Sequence, residues 1–190
     1  PVLSAGEAQM LQKISPAGVI LFAKNFLKNS ADWISQYEKL VEQLRSAIGR
    51  ERFFLAVDHE GGRVHRFPAP VTRFPAAAHW RDSAAEVGRA MGRELNALGI
   101  NLAFAPVLDV HNESSNPVIG ERAFARTVEE VIRFAEPFRA GLEAEGVIGC
   151  GKHFPGHGRT TTDSHHELPL LQVTRAELEA TELAPFRSSI

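Results

Sequence analysis

Half of the chain's eight histidines lie between His153 and His166, in the run "KHFPGHGRTTTDSHH". Histidines at this density can ligate a metal, move protons or decorate a polar loop. His153 and His157 are spaced i, i+4, which would put both on one face of a helix. Pro155 and Gly156 stand between them, so the stretch reads as a loop, and no Glu follows the first His as in His-Glu-x-x-His. No closed ligand pattern is present, and neither a metal nor any other cofactor is expected. Asp163-x-His165 offers different chemistry. In extended backbone, residues i and i+2 point the same way, so carboxylate and imidazole can meet. The carboxylate favours the imidazolium and fixes the tautomer, which suits a general acid or base near neutral pH. A solvated loop histidine beside an unrelated Asp has the same spacing, so spacing alone leaves both open.

Other polar groups follow apolar runs. Asp58-His59-Glu60-Gly61-Gly62-Arg63 comes directly after "FFLAV", Asp109 after "INLAFAPVL" and Lys24-Asn25 after "GVILF". Paired glycines permit backbone conformations and close approaches that other residues resist. Asp58 can accept bonds from sugar hydroxyls or cap loop amides at a strand end. Arg66 and Arg122 each lie in a loop, where a single Arg is usually a solvated charge. Cys150 adjoins an apolar run and reads as inert packing. Trp33 and Tyr37 fall at helical core spacing rather than on a sugar platform.

The elements that must position these groups alternate. Four continuous apolar runs, Gly18–Phe22, Phe53–Val57, Ile100–Ala105 and Gly146–Gly149, read as strands buried on both faces of a parallel sheet. A helix is expected over Ser4–Ile14. A second, capped by Ser30, carries Trp33, Ile34, Tyr37, Leu40, Val41, Leu44 and Ile48 as one stripe. A third runs from Ser83 to Leu98 with Gly99 as its stop. A fourth opens on the capping box Thr127-x-x-Glu130, contains Pro137 and closes at Gly146. A last one opens on Thr174-x-x-Glu177 and runs toward the end of the chain. The alternation predicts an α/β domain over residues 1–190. Polar residues past every strand favour a (β/α)₈ barrel, whose active site gathers at that face, over a doubly wound sheet. No Gly-rich nucleotide loop opens a helix.

Composition sets the outer bounds. Apolar residues make up 44% and charged residues 23% of the 190 residues, with a net charge of −2. That is a globular composition without the basic footprint of nucleic-acid binding. No apolar run is long enough for a bilayer, no signal-peptide pattern opens the chain, and one cysteine excludes an intrachain disulfide. A cytoplasmic protein without nucleic-acid or membrane partners is expected.

In order, "AVDHEGGRVHRF", "LAFAPVLDV", "NPVIGERAF" and "GKHFPGHGRTTTDSHHELP" closely resemble the glycoside hydrolase family 3 β-N-acetylglucosaminidases, from about Gly18 onward. The resemblance implies a retaining exo-glycosidase on a (β/α)₈ barrel, acting on small carbohydrates such as cell-wall muropeptides. It implies that His165 is the acid/base with Asp163 as its partner, in place of the usual second carboxylate. It also implies that Asp58, Arg66, Arg122, Lys152 and His153 hold the terminal N-acetylglucosamine, and that His157 and Gly158 shape the loop. The family's nucleophile is an aspartate in a segment like "FSDDL", which this sequence lacks. A fragment with about four of the eight barrel strands, inactive alone, is therefore expected. The alternatives are a β-glucosidase or glycoside phosphorylase of the same family, or a non-catalytic carbohydrate- or metal-binding module.

Overall fold

Four short strands, β1 (Gly18–Leu21), β2 (Phe54–Val57), β3 (Leu102–Ala103) and β4 (Ile148–Gly149), pair in parallel in the order β1-β2-β3-β4. They come from a computed structural model that describes residues 2–26, 32–112, 116, 118–162 and 168–189. Each strand lies beside its predecessor, so the order never reverses. A doubly wound sheet reverses at a switch point, whereas a (β/α)₈ barrel winds onward in this way.

The strands are shorter than expected, and β3 shows why. Pro106 has no N–H to give the ladder, so regular pairing stops before it. Pairing resumes just beyond, where Val107 bridges Lys152 and the Leu108 N–H donates to the Lys152 carbonyl at 2.7 Å. The expectation of strands buried on both faces also needs correction. The register puts Ile20, Phe54 and Ile148 on one face of the sheet, where they are 39%, 44% and 48% exposed. Leu21, Leu55, Val57 and Ala103 point to the other face and are buried under the helices. Continuous apolar runs therefore mark two different faces, and helices cover one of them among the described residues.

The helices are α1 (Ala5–Ile14), α2 (Trp33–Ile48), α3 (Ala84–Ala97), α4 (Val128–Ala144), α5 (Arg175–Ala180) and α6 (Ala184–Ser188). Ser4 caps α1 with a full capping box, and Thr174 does the same for α5. Thr127 accepts from the Glu130 N–H at the start of α4, but the Glu130 carboxylate accepts the Thr127 hydroxyl rather than its backbone N–H. The N-cap of α2 is Asp32, not Ser30, which lies outside the described residues. In α2, Trp33, Tyr37, Leu40, Leu44 and Ile48 are buried, whereas Ile34 is 39% exposed and leaves the stripe. The Tyr37 hydroxyl ties α2 to the end of α3 by donating to the Leu98 carbonyl at 2.7 Å.

The last helix does not run on as expected. It stops at Ala180 and restarts at Ala184, with Pro185 in the first turn of α6, where its missing N–H costs nothing. The break buries Glu182, which takes both the Nε and the Nη2 of Arg159. That pair ties the loop after β4 to the C-terminal helices.

Helices α3 and α4 pack closely through glycines. A Cβ on Gly88 would lie 2.2 Å from the Phe138 carbonyl oxygen, and one on Gly141 would lie 2.6 Å from that of Ala85. Trp80 stacks on Phe138 at 4.9 Å beside this contact. Helix α4 also packs against β4, where a Cβ on Gly149 would lie 3.0 Å from Arg139 Cγ.

Candidate functional site

Beyond the C-terminal ends of the strands lies a cavity of about 530 Å³, bordered by Asp58, Glu60, Arg66, Arg122, Lys152 and His153. The five residues expected to hold a sugar meet there, although they come from three separate stretches of chain. Asp163 and His165 lie outside the described residues.

The β2 end supplies the anions. After Val57 the chain turns through Gly61 and Gly62, with φ of +81° and +53°, which glycine adopts without the Cβ clash of other residues. The Glu60 N–H donates to the Val64 carbonyl, and the Val64 N–H to that of Gly61, both at 3.0 Å. This tight turn aims Asp58 and Glu60 toward the ends of β3 and β4.

Three cations answer them. Lys152 Nζ lies 2.5 Å from Asp58 Oδ1 and 2.5 Å from Glu60 Oε1. Arg122 grips Glu60 with both edges of its fork, Nε to Oε2 at 2.8 Å and Nη2 to Oε1 at 2.9 Å. Its Nη1 donates to the Val118 carbonyl at 3.1 Å. Arg66 stands farther off, with Nη2 3.9 Å from Asp58 Oδ2 and a buried Nε that has no hydrogen-bond partner among the described residues.

Burial of Glu60 works to raise its pKa, but the Arg122 hydrogen bonds and the Lys152 charge outweigh it, leaving the pKa below the ordinary 4.5. Burial likewise opposes the charge on Arg122, and Glu60 more than restores it. Glu60 and Arg122 therefore favour their charged forms despite the burial that opposes them.

A third carboxylate sits deeper. Asp109, 1% exposed, accepts from the His157 N–H through Oδ1 at 2.6 Å, and its Oδ2 lies 2.6 Å from His153 Nδ1. The other ring nitrogen of His153, Nε2, faces Arg122 Nη2 at 3.1 Å. His157 is buried, and its carbonyl accepts from Asn116 Nδ2 at 2.7 Å and from the Thr160 hydroxyl at 3.0 Å. Gly158 completes this loop, since a Cβ there would sit 1.9 Å from the Val110 carbonyl oxygen. The loop that leads toward Asp163 and His165 is thus anchored on the end of β3.

The arrangement can recognise a polyol. An ammonium has three N–H donors, and Lys152 gives two to Asp58 and Glu60. The third, one Nη1 proton of Arg122 and Asp58 Oδ2 remain for a ligand among the described residues. Donors and an acceptor within one cavity match a sugar, whose hydroxyls both give and accept. The open alternatives for Asp58, Arg66 and Arg122 narrow accordingly, because none of them is a fully solvated charge.

Glu60 and Asp109 were visible in the sequence only as strand-end acids, with no partner assigned. The usable signal was chemical: a carboxylate directly after a buried strand must be matched by a cation or by several donors. The sequence carries no trace of which cation that is, since Arg122 is 62 residues away from Glu60.

Comparison with known proteins follows the same line. The family described as "Glycosyl hydrolase family 3 N terminal domain" matches residues 3–190. A "Beta-hexosaminidase" of Methylococcus capsulatus is 44% identical over 198 residues, covering 100% of this chain and 57% of the relative. Another, from Neisseria meningitidis serogroup C, is 43% identical over 197 residues, covering 97% of this chain and 53% of the relative. The chain spans about half the length of the curated relatives it matches. Among solved structures, NagZ from Neisseria gonorrhoeae in complex with N-trifluoroacetyl-D-glucosamine superposes with a TM-score of 0.87 at 40% identity, over 99% of this chain and 57% of that one. With a sheet that never reverses its order and a match running nearly end to end, this chain belongs to glycosyl hydrolase family 3, in its N-terminal domain.

Proposed function

We propose that this chain forms the sugar-binding half of a retaining exo-β-N-acetylglucosaminidase built on a single (β/α)₈ barrel, of which it supplies residues 1–190. The observation that carries this reading is the joining of Asp58, Arg66, Arg122, Lys152 and His153 around one cavity at the strand ends. The printed names of the relatives, which include hexosaminidases and a NagZ complex with a glucosamine derivative, support the sugar class.

In this reading the terminal N-acetylglucosamine lies against Lys152, Arg66 and Arg122, which donate to its hydroxyls, and against Asp58, which accepts from them. Asp163 holds His165 as the acid/base. The imidazolium gives its proton to the leaving oxygen, then as neutral imidazole removes one from the attacking water. An aspartate from outside these residues attacks the anomeric carbon in the first step and leaves in the second, so two inversions give retention. Muropeptides of the bacterial cell wall, met in the cytoplasm, are the proposed substrates.

The test uses the full-length protein with nitrophenyl β-N-acetylglucosaminide and nitrophenyl β-glucoside, each with and without phosphate. The expected result is nitrophenol release from the first, independent of phosphate, with the β-anomer of N-acetylglucosamine formed first. Preference for the glucoside would assign a β-glucosidase, and dependence on phosphate a phosphorylase. Binding without turnover would leave a carbohydrate-binding module.

A further inference from the structure

We propose that Asp109 is a positioning residue that holds His153 in one tautomer, protonated on Nδ1, so that His153 meets the ligand as a hydrogen-bond acceptor. The sugar part of this statement rests on the reading above, whereas the tautomer does not.

Donors and acceptors around the ring fix its tautomer. A guanidinium has only donors, so the His153 Nε2 that lies 3.1 Å from Arg122 Nη2 carries no proton. A neutral ring then keeps its proton on Nδ1, and that nitrogen is 2.6 Å from Asp109 Oδ2. Asp109 cannot turn away, because its other oxygen takes the His157 N–H at 2.6 Å and its side chain has no exposed surface. The register past Pro106 makes this possible. Val107 bridges Lys152, and the Leu108 N–H donates to the Lys152 carbonyl, which brings the segment carrying Asp109 alongside His153.

His153 therefore has a single lone pair to offer, and Arg122 holds it. A ligand oxygen that enters must donate its own proton to Nε2 in place of the guanidinium, and it can then accept the freed Nη2 proton. The group recognised at this point is a hydroxyl. A sugar bearing an ether, a fluorine or a hydrogen at the same position loses that bond.

The first measurement is the two-bond proton–nitrogen correlation spectrum of the full-length protein labelled on histidine, at neutral to mildly alkaline pH. A His153→Gln spectrum assigns the signals. The expected result is a protonated Nδ1 and a bare Nε2 for His153; a protonated Nε2 overturns the proposal.

The second measurement uses Asp109→Asn. Its amide oxygen stays with the His157 N–H, so its NH₂ faces Nδ1 and drives the ring to the Nε2-protonated form, donor against donor with Arg122. The expected result is that switch together with a rise of about tenfold or more in KM for the N-acetylglucosaminide, the worth of one charge-assisted bond. A variant that keeps the Nδ1 proton, or that switches with KM unchanged, overturns the proposal. If the variant does not fold, the wild-type spectrum still decides. If the wild-type protein does not act on N-acetylglucosaminides, the functional reading falls, and the tautomer spectra decide the role of Asp109 by themselves.

Discussion

Glu60 shows how a single buried acid organises this site, because its two oxygens take Arg122 at 2.8 and 2.9 Å and Lys152 at 2.5 Å. Breaking a buried pair by removing one partner leaves charge without compensation. Glu60→Gln is expected to lower stability by about 3–5 kcal/mol, measured by denaturant titration of the protein against wild type. A loss below about 1 kcal/mol, the range of an exposed pair, would show that the cluster is solvated instead. At this scale the sequence was partly legible. The family resemblance points to Asp58, Arg66, Arg122, Lys152 and His153, and these residues share one cavity. The partners of Glu60 and Asp109 were not legible, because pairing across tens of residues depends on how the strands line up, and no local spacing records that.

The elements were legible where local chemistry dictates them. Ser4 and Thr174 cap helices through their own side chains and a Glu three residues on, all within one turn. Gly99, with φ of +72°, ends α3 in the same local way. The break at Ala180 was hidden, since it depends on Glu182 turning inward to meet Arg159. Strand lengths were overestimated because apolar runs report burial, whereas ladder length also depends on which residues can donate, and Pro106 cannot.

The α3–α4 contact yields a prediction at this scale. Gly88→Ala places a methyl 2.2 Å from the Phe138 carbonyl oxygen, against backbone that cannot move like a side-chain end. The expected cost is about 1–3 kcal/mol, read as a lower denaturation midpoint. Gly6→Ala, where nothing lies within 4 Å, should show no such loss. Equal midpoints for both variants would mean that the helices are not packed at this distance.

For the whole molecule, acid is the expected enemy. His59 is 1% exposed, and its ring nitrogens find no hydrogen-bond partner among the described residues. Burial, then the charges of His65 and Arg66, depresses its pKa from 6.5 to about 3. The unfolded chain therefore takes up this proton first. The contribution of His59 is complete above pH 6.5 and is lost as pH falls toward 3. Glu60, depressed below 4.5, adds a loss in the same direction only below that value. Between pH 6.5 and 4.5 the His59→Phe protein should lose stability less steeply than wild type, by up to about 1.4 kcal/mol per pH unit. Parallel stability curves would place His59 in contact with water.

The parallel order of the sheet was also legible at this scale, from the alternation of elements alone. The exposure of Ile20, Phe54 and Ile148 was not, because a continuous apolar run does not say which face a helix will cover.

The cluster around Asp58, Glu60, Arg122 and Lys152 is proposed as a monosaccharide subsite. Titration of the full-length protein with N-acetylglucosamine, wild type against Lys152→Met, tests it most directly. Wild type is expected to bind saturably, and the variant, whose remaining donors cannot replace the ammonium, to bind about tenfold or more weakly. Equal affinity in two folded proteins would contradict it and place the sugar elsewhere.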